Sequence, residues 1–477
     1  YASVKFCIYS YYLINLRTYC TKKDKIRKGS FHNAESNKKM NYLWKDNLTP
    51  PEFPRFEGNT KTDVLVIGGG MAGVLCAAQL KKSGVDCILT EGEKIGNKIT
   101  KGTTAVLSAQ HDILYSDMIR DFGATYAKLY LEVNLRAVEK FRELSKDIPC
   151  DFEEKPSYMY SLHDGSRMKQ EAEAVNSLGF DAVFSLETPL PFRVSGAVYY
   201  PGMAQFHPLK FLYGVAKKEN LNIYENTFVY KLKGTTAYTK NGTIRAKKVI
   251  VATHFPFINL HGLYPVKMYQ QNAYAVAYEN APDLGCTVID AAENGIFLRN
   301  YNGLLIVGGG SHRTGKKGGG FNVPRDFAKK YFPDAKEKYA WINQDCISLD
   351  GIPYIGHYGK LLPDVYTATG FNLWGMTTSM AASEILSDLT AGRYNRYAQV
   401  FAPDRKMKAG KALANIGISA LNLLSPTVKR CPHLGCALKW NSAEHSWDCP
   451  CHGSRFKENG EMINGPAMRN AHVKQTN

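Results

Sequence analysis

The chain has 477 residues, 44% of them hydrophobic and 22% charged, the composition of an ordinary globular protein long enough for more than one domain. Its formal net charge is +17, but +7 of this lies before Met40, and the remaining basic residues form no recognisable nucleic-acid-binding module. No apolar run approaches the roughly 20 residues that a membrane-spanning helix needs. We therefore expect neither nucleic-acid binding nor a transmembrane segment.

The first 39 residues form a distinct segment, which starts with Tyr and joins a short, Tyr-rich apolar stretch to a Lys-rich run. They lack the small-residue cleavage site of a signal peptide. We expect residues 1–39 to be a disordered or non-native extension, with Met40 as the natural start and residues 40–60 as a lead-in.

Seven of the eleven cysteines are scattered along the chain. This pattern is typical of free thiols in a reducing compartment, so we expect a cytoplasmic location.

From residue 61 onwards the sequence predicts a mixture of short strands and helices. Apolar residues at three- and four-residue spacing predict helical structure over roughly residues 115–175, most clearly in Ser116–Asp147. A further helix is predicted at Ala381–Leu389. The predicted strands are Asp63–Ile67, Val85–Thr90, Ala197–Tyr200, Lys248–Ala252 and Leu304–Val307. This mixture indicates an α/β fold, in which a Rossmann-like nucleotide-binding domain is interrupted by an α+β substrate domain.

A glycine motif follows the first predicted strand. Gly68, Gly70 and Gly73 have G-x-G-x-x-G spacing and open a helix, which is the context that the dinucleotide-binding motif requires. Gly68 permits the tight turn, Gly70 lets the backbone approach a pyrophosphate, and Gly73 lets the helix pack on the strand. The N–H groups at the start of the helix would then bind the phosphates.

The next strand ends at Glu91, which lies 23 residues after Gly68, where an acidic residue can hold a ribose hydroxyl. The glycines alone are weak evidence, because a glycine-rich turn also occurs in unrelated α/β folds. Strand, glycines, helix, second strand and terminal Glu together predict a dinucleotide site, with either FAD or NAD as the ligand.

This region resembles the FAD-dependent amino-acid oxidase family, which includes D-amino-acid, glycine and sarcosine oxidases. The resemblance extends over roughly residues 60–400 and includes the segments Lys101–Ala105, Lys248–Thr253, Asp350–Gly356 and Ala368–Thr377. In the last of these a helix N-terminus faces the flavin pyrimidine, where it would stabilise negative charge. The resemblance implies FAD as the cofactor. The FAD-contacting residues that it implies are Gly68, Gly70, Ala72, Gly73, Glu91, Thr103, Thr104, Val229, Thr253, Gly370, Gly375, Met376 and Thr377.

Amino-acid oxidases of this family commonly hold the substrate carboxylate with an arginine, and at two places where that arginine is sought this chain has His357 and Leu373–Trp374. Arg299, His312 and Arg313 are candidate replacements, although surface or structural roles explain them equally well. An amino-acid substrate is therefore one of several small reductants that the sequence allows, and no catalytic residue is predicted.

A second motif lies near the C-terminus. Cys431 and His433 form a Cys-x-His pair, and Cys449 and His452 form a Cys-x-x-His pair fifteen residues further on. Zinc accepts two Cys and two His. The same ligands on two loops rich in Gly and Pro are also the arrangement of a Rieske [2Fe–2S] cluster, with two Cys on one iron and two His on the other.

The loops resemble those of respiratory-type Rieske proteins, in which a disulfide joins the positions of Cys436 and Cys451, and Gly465–Ala467 resembles the third, proline-containing loop of that family. The resemblance implies a hydrogen bond from Ser454 to a cluster sulfide. This sequence differs from the family at Phe456, where respiratory members have a Tyr whose hydroxyl bonds a ligand sulfur. It also differs in the short span before Cys431, which leaves little room for the β-sheet that supports the loops in that family. We therefore expect the loops to rest on the flavin domain.

We therefore expect an oxidoreductase domain over residues 61–404 with a substrate subdomain at roughly 255–345, a partly helical linker over 405–424, and a small β-type Rieske domain over 425–477. The expected enzyme oxidises a small amine or amino-acid-like reductant with FAD. It passes electrons singly through the cluster to an acceptor protein or a quinone-like carrier. The alternative is an electron-transfer or redox-sensing protein without a small substrate, which would lack an apolar, enclosed pocket at the flavin face.

Overall fold

The computed structural model describes residues 40–258, 261–293, 295–406, 409–442 and 444–473. The predicted extension of residues 1–39 lies outside the described residues. None of the described helices is long and apolar enough to cross a bilayer.

The strands and helices alternate along most of the chain. The strands are β1 (Gly58–Ile67), β2 (Cys87–Thr90), β3 (Val106–Leu107), β4 (Glu153–Glu154), β5 (Ser157–Ser161), β6 (Val183–Ser185), β7 (Gly196–Tyr200), β8 (Ala204–Gln205), β9 (Ile223–Tyr224), β10 (Lys231–Lys233), β11 (Thr236–Thr239), β12 (Gly242–Val251), β13 (Met268–Glu279), β14 (Thr287–Asp290), β15 (Phe297–Tyr301), β16 (Leu304–Arg313), β17 (Lys336–Ser348), β18 (Tyr354–Gly359), β19 (Leu362–Thr369), β20 (Lys439–Asn441), β21 (Ser446–Asp448), β22 (Arg455–Lys457) and β23 (Met462–Asn464).

Ten helices are described between Met71 and Leu424. They are α1 (Met71–Lys82), α2 (Tyr115–Phe122), α3 (Ala124–Ser145), α4 (Gly165–Ser177), α5 (Pro208–Lys218), α6 (Tyr264–Lys267), α7 (Asn322–Tyr331), α8 (Gly375–Thr390), α9 (Ala398–Phe401) and α10 (Ala409–Leu424), with single 3-10 turns at Leu43–Lys45 and Thr100–Gly102.

The first sheet has the strand order β10-β11-β12-β1-β2-β9, and β19 and β18 extend it from β12. Strands β12, β1, β2, β9 and β19 run parallel. The end of β1 is buried as Val64–Ile67, because α1 and α8 cover one face and a second apolar cluster covers the other. This two-sided burial is typical of a parallel α/β sheet, so the predicted Rossmann-like domain is confirmed.

The second sheet, here called the substrate sheet, has the order β17-β13-β16-β15-β14-β5-β7-β6. It contains the segment 268–348, but it also recruits β5–β7 from residues 157–200, which lie outside the span of 255–345 expected from the sequence. The reason is long-range pairing, since β5 runs parallel to β14 and antiparallel to β7. This sheet and its helices form the predicted α+β part of the fold.

The C-terminal part is a four-stranded antiparallel sheet, β20-β21-β22-β23, in which each strand has three residues. A small three-stranded sheet, β3-β8-β4, lies in the main body. The fold class expected from the sequence, an α/β flavin domain with an α+β insertion and a small β-type C-terminal part, is confirmed.

Candidate functional site

The glycine motif lies at the carboxyl edge of the parallel sheet, where β1, β2, β12 and β19 all end. Gly68 has φ +113°, and a Cβ built on it would lie 2.5 Å from the carbonyl oxygen of Ala252. Thr253 follows Ala252 directly, and its backbone nitrogen would lie 3.2 Å from the same Cβ. Only glycine therefore fits at Gly68. Ligands of open α/β sheets bind at this edge.

The helix that follows depends on a second close approach. A Cβ on Gly73 would lie 1.8 Å from the carbonyl oxygen of Gly68, so glycine is required for α1 to start directly after the strand. A Cβ built on Gly70 would have the Thr100 hydroxyl as its nearest neighbour, at 3.6 Å, so there is space beside the backbone at this residue. Ala72 is buried in the first turn. The geometry fits a pyrophosphate placed at the helix N-terminus.

Glu91 lies at the end of β2, facing the motif. Its carboxylate accepts the N–H of Gly69 at 2.7 Å and the N–H of Glu93 at 2.8 Å. Burial raises the pKa of Glu91. Val229, also predicted as an FAD contact, is a buried residue of the apolar cluster beneath Ile67 and Ile88.

The loop at Thr100–Thr104 is held in place by Trp44 and Trp341, which the sequence did not single out, and by Arg299, a candidate for binding a substrate carboxylate. Trp44 donates its indole N–H to the carbonyl of Thr103 at 2.6 Å, and Trp341 donates to the carbonyl of Gly102 at 2.9 Å. The guanidinium of Arg299 donates to the carbonyls of Thr104 and Ala105. The loop predicted to run past the flavin is therefore fixed from both the lead-in and the substrate sheet.

The last flavin segment joins β19 to α8. Gly370 ends the strand at φ +71°, and Gly375 and Met376 begin the helix. The hydroxyl of Thr377 lies 3.2 Å from Nε2 of His111, and the ring of His111 stacks on Trp374 with centroids 4.7 Å apart. Burial lowers the pKa of His111 to about 3, so this imidazole is neutral at physiological pH.

A cavity of about 1020 Å³ lies between these flavin segments and the substrate sheet. It is lined by Thr103 and Thr104, by Trp374 and Gly375, and by the side of β17 that carries Asp345. The carboxyl of Asp345 is buried, and it accepts the N–H of Cys346 at 2.7 Å and that of Leu373. Burial raises the pKa of Asp345 to about 7.

The candidate carboxylate-binding residues have different positions. Arg299 is fully buried and holds the flavin loop, and His357 is exposed outside the cavity. His312 and Arg313 line the cavity, together with Lys316 and Lys317. Three hydrogen bonds of Arg313 go to the C-terminal part and α10, through the carbonyls of Pro450 and Cys451 and the amide of Asn415.

The four predicted cluster ligands come together on two neighbouring loops. The rings of His433 and His452 have centroids 5.0 Å apart, and the buried thiols of Cys431 and Cys449 interact with each other. Burial lowers the pKa of His433 to about 4 and that of His452 to about 3, so both rings are neutral. Among the described residues, Nδ1 of His452 is buried without a hydrogen-bond partner. These features fit a [2Fe–2S] cluster held by two thiolates and two neutral imidazoles.

The accessory cysteines lie beside the ligands. Cys436 and Cys451 are joined by a disulfide bond, and the sulfur of Cys449 lies within 4.8 Å of both of their sulfurs. The hydroxyl of Ser454 accepts the N–H of Ala467 at 3.0 Å. Hydrogen bonds from Cys449 and from Ser454 lower the pKa of Cys431.

The ligand loops rest on the substrate sheet. Gln270 on β13 donates to the carbonyls of His452 and Gly465 at 2.7 and 2.9 Å. Gln344 on β17 donates to the carbonyl of Gly453 at 2.7 Å. Both glutamines are buried. The neighbouring side chains on β17, Asn343 and Asp345, line the cavity instead, so β17 separates the cavity from the cluster loops.

Family models match both parts of the chain. The model of FAD-dependent oxidoreductases (DAO) matches residues 63–389, and that of the Rieske [2Fe-2S] domain matches residues 424–476. The first of these covers more than half of the chain. The chain therefore belongs to the DAO family of FAD-dependent oxidoreductases and carries a C-terminal Rieske domain. FAD and a [2Fe–2S] cluster, the two predicted cofactors, are confirmed.

The individual relatives agree with this assignment. The Rieske 2Fe-2S iron-sulfur protein YhfW of Bacillus subtilis (strain 168) is 32% identical over an alignment of 490 residues, which includes 89% of this chain and 96% of YhfW. The cytochrome b6-f complex iron-sulfur subunit of Synechococcus sp. (strain JA-3-3Ab) is 45% identical over 58 residues, 12% of this chain and 28% of that protein.

Among solved structures, glycine oxidase from Geobacillus kaustophilus superposes with a TM-score of 0.62 at 20% identity, over 73% of this chain and 99% of that one. At this level of identity the similarity establishes the shared fold alone. The two family models and the similarity to YhfW confirm the predicted resemblance to the DAO family and to Rieske proteins.

Proposed function

We propose that this FAD-dependent oxidoreductase oxidises a small amine or amino-acid-like substrate and passes the electrons singly through its Rieske cluster to an acceptor protein or a quinone-like carrier. When bound, FAD accepts a hydride and a [2Fe–2S] cluster accepts one electron at a time. One observation carries the proposal: a cavity of about 1020 Å³ that is lined both by the flavin-loop threonines and by a buried carboxyl, that of Asp345.

The residues proposed to hold the cofactors are those that the sequence predicts, and their positions support this. The glycine motif, Glu91 and Thr253 lie together at the carboxyl edge of the parallel sheet, and Gly370–Thr377 lies next to the cavity. The proposed cluster ligands are Cys431, His433, Cys449 and His452, with the disulfide beside them.

Asp345 supports an amine as the substrate. A carboxyl in a buried site binds an ammonium ion when it is ionised, and it takes up a proton readily when its pKa lies near neutrality. Burial raises the pKa of Asp345 to about 7, and among the described residues its hydrogen-bond donors are the backbone N–H groups of Cys346 and Leu373. We infer that Asp345 orients the substrate nitrogen and accepts its proton. His312, Lys316 and Lys317, which also line the cavity, can bind a substrate carboxylate.

The position of Phe255 supports electron transfer between the two cofactors. Phe255 lies two residues after Thr253 at the flavin edge, and its buried ring has centroid distances of 6.4 Å to His433 and 6.3 Å to His452. The histidine side of the cluster loops therefore faces the flavin domain. This short packed connection is consistent with an internal electron path.

The rival function, an electron-transfer or redox-sensing protein without a substrate, predicts no apolar, enclosed pocket at the flavin face. The cavity beside the flavin segments favours the enzyme. We also propose a cytoplasmic location, supported by the scattered cysteines of the described residues (Cys76, Cys87, Cys150, Cys286 and Cys346), all of which are free thiols.

The test is an anaerobic titration of the purified holoprotein with a panel of amines and amino acids, followed by flavin absorbance. The proposal predicts that at least one primary or secondary amine bleaches the flavin, whereas the alcohol of matching carbon skeleton does not. If no amine bleaches the flavin, while a reduced electron-transfer protein does reduce it, the rival function is correct.

A further inference from the structure

The helix α10 has its polar and apolar residues on the opposite faces from those of an ordinary surface helix. Asn415 and Asn422 are buried against the protein. The outward residues are aliphatic: Leu413 is 67% exposed, Leu421 71% and Leu424 82%. Surface helices normally direct their apolar stripe toward the core. A helix with its leucines in solvent calls for an apolar surface outside the described residues to cover them.

The buried face of α10 is firmly held. The amide of Asn415 donates to the backbone carbonyls of Pro265, Val266 and Met268, and its oxygen accepts the guanidinium of Arg313 at 2.7 Å. These bonds fix which side of the helix faces inward. The leucines are therefore exposed while α10 is bound to the rest of the protein.

The apolar face continues from α10 to the cluster loops. Val428 is 76% exposed just beyond the helix, and Leu434, the neighbour of His433 in the ligand loop, is also exposed. Leu423 lies against this loop, because a Cβ built on Gly435 would be 3.7 Å from its side chain. The outward side chains of Leu413, Ile416, Leu421, Leu423, Leu424, Val428 and Leu434 are here called the leucine face.

The charged residues of the segment that carries the leucine face are all basic. From Arg405 to Lys439 inclusive the sequence has seven Lys and Arg residues and no Asp or Glu, and one of the seven, Arg405, is paired with the buried Asp350. Lys411 is exposed on α10, and the guanidinium of Arg430 donates to three backbone carbonyls. A second copy meeting this face through a two-fold axis would bring two such basic segments together, which is unfavourable.

We propose that the leucine face docks this protein on an anionic lipid bilayer, with α10 lying in the plane of the membrane surface. An aliphatic helix face on a segment whose charged residues are all basic matches interfacial membrane helices, in which leucines enter the acyl boundary and basic side chains contact anionic headgroups. The face contains no Trp or Tyr, the residues that dominate protein–protein hot spots. Docking would bring the cluster loop at Leu434 and the cavity wall formed by Ala414 and Ile418 to the lipid surface.

The experiment is flotation of the full holoprotein with vesicles of phosphatidylcholine mixed with phosphatidylglycerol, compared with phosphatidylcholine alone. We expect binding to the anionic vesicles that weakens at high salt. A Leu421→Ser/Leu424→Ser double variant should lose at least about tenfold in partition coefficient, because two aliphatic side chains would be lost from the acyl boundary. Both side chains are exposed, so flavin content and thermal stability should not change.

The matched control is Leu361→Ser, which replaces a leucine that is 79% exposed in the turn between β18 and β19 and lies outside the leucine face. It should float as the unchanged protein does. The proposal is overturned if the holoprotein does not bind anionic vesicles, or if the double variant binds them equally well. It is also overturned if sedimentation shows a dimer that only the double variant dissociates, because a second copy would then cover the face.

Discussion

Replacing Asp345 with Asn tests the proposed amine site most informatively, because activity and stability should change in opposite directions. The carboxyl of Asp345 is buried, and its pKa is raised from 3.8 to about 7. At about 1.4 kcal/mol for each tenfold change, ionising it in the folded protein above pH 7 costs about 4 kcal/mol as an upper bound.

The pH dependence follows from the direction of this shift. Between pH 4 and 7 the folded protein keeps the proton of Asp345 while the unfolded chain loses it. The stability that the neutral carboxyl contributes is therefore present at low pH and is lost as the pH rises through about 7. An Asn at this position is never charged. At pH 8, Asp345→Asn should raise the free energy of unfolding of the substrate-free protein, by up to about 4 kcal/mol, with a much smaller gain at pH 5.

Activity should fall in the same variant. A charge-assisted hydrogen bond to the substrate ammonium contributes about 1.5–3 kcal/mol, so flavin reduction by the amine should slow by about 10- to 100-fold in its second-order rate constant. In the unchanged protein this rate constant should rise with pH through about 7 as Asp345 ionises, and the variant should lack that rise.

The assays are anaerobic stopped-flow reduction across pH and denaturant unfolding at pH 5 and 8. The control is Asp364→Asn, which changes an exposed carboxyl and should alter neither result. A variant that keeps both the rate and its rise near pH 7, or that is no more stable at pH 8, would show that Asp345 only caps the backbone.

The remaining predictions concern the two cofactor sites. Gly73→Ala should abolish FAD binding or folding, because its Cβ would lie 1.8 Å from the oxygen of Gly68, and flavin content per chain measures this. A double Cys436→Ala/Cys451→Ala variant should still assemble a cluster, but one that decays faster in air, as followed by visible absorbance, and equal lifetimes would refute the stabilising role of the disulfide. Ser454→Ala should lower the cluster potential, because a hydrogen bond toward the cluster stabilises the reduced state. Phe456→Tyr should raise it for the same reason, and an unchanged or lower potential in redox titration would contradict the proposed loop geometry.

The local motifs predicted the parts of the site that depend on short-range spacing. The glycine turn after β1, Glu91 at the end of β2 and the two ligand loops each depend on neighbours within about 25 residues, and the structure brings each set together. Predicted elements such as Asp63–Ile67 and Ala381–Leu389 lie within β1 and α8.

Long-range pairing explains what the sequence did not predict. The helical expectation for residues 115–175 missed β4 and β5, because the residues that pair with them on β8, β7 and β14 lie at least 35 residues away. Asp345 carries no local signal, since its burial comes from the pairing of β17 with β13 and from the backbone of Leu373. The contacts of Gln270 and Gln344 with the cluster loops likewise span more than 100 residues.

The most direct test of the central claim, that substrate electrons reach the cluster through the flavin, is electron paramagnetic resonance of the oxidised holoprotein after anaerobic addition of an amine that bleaches the flavin. The account predicts that the signal of the reduced Rieske cluster appears with the bleaching and without any added mediator. Flavin bleaching with a cluster that stays silent until dithionite is added would contradict it.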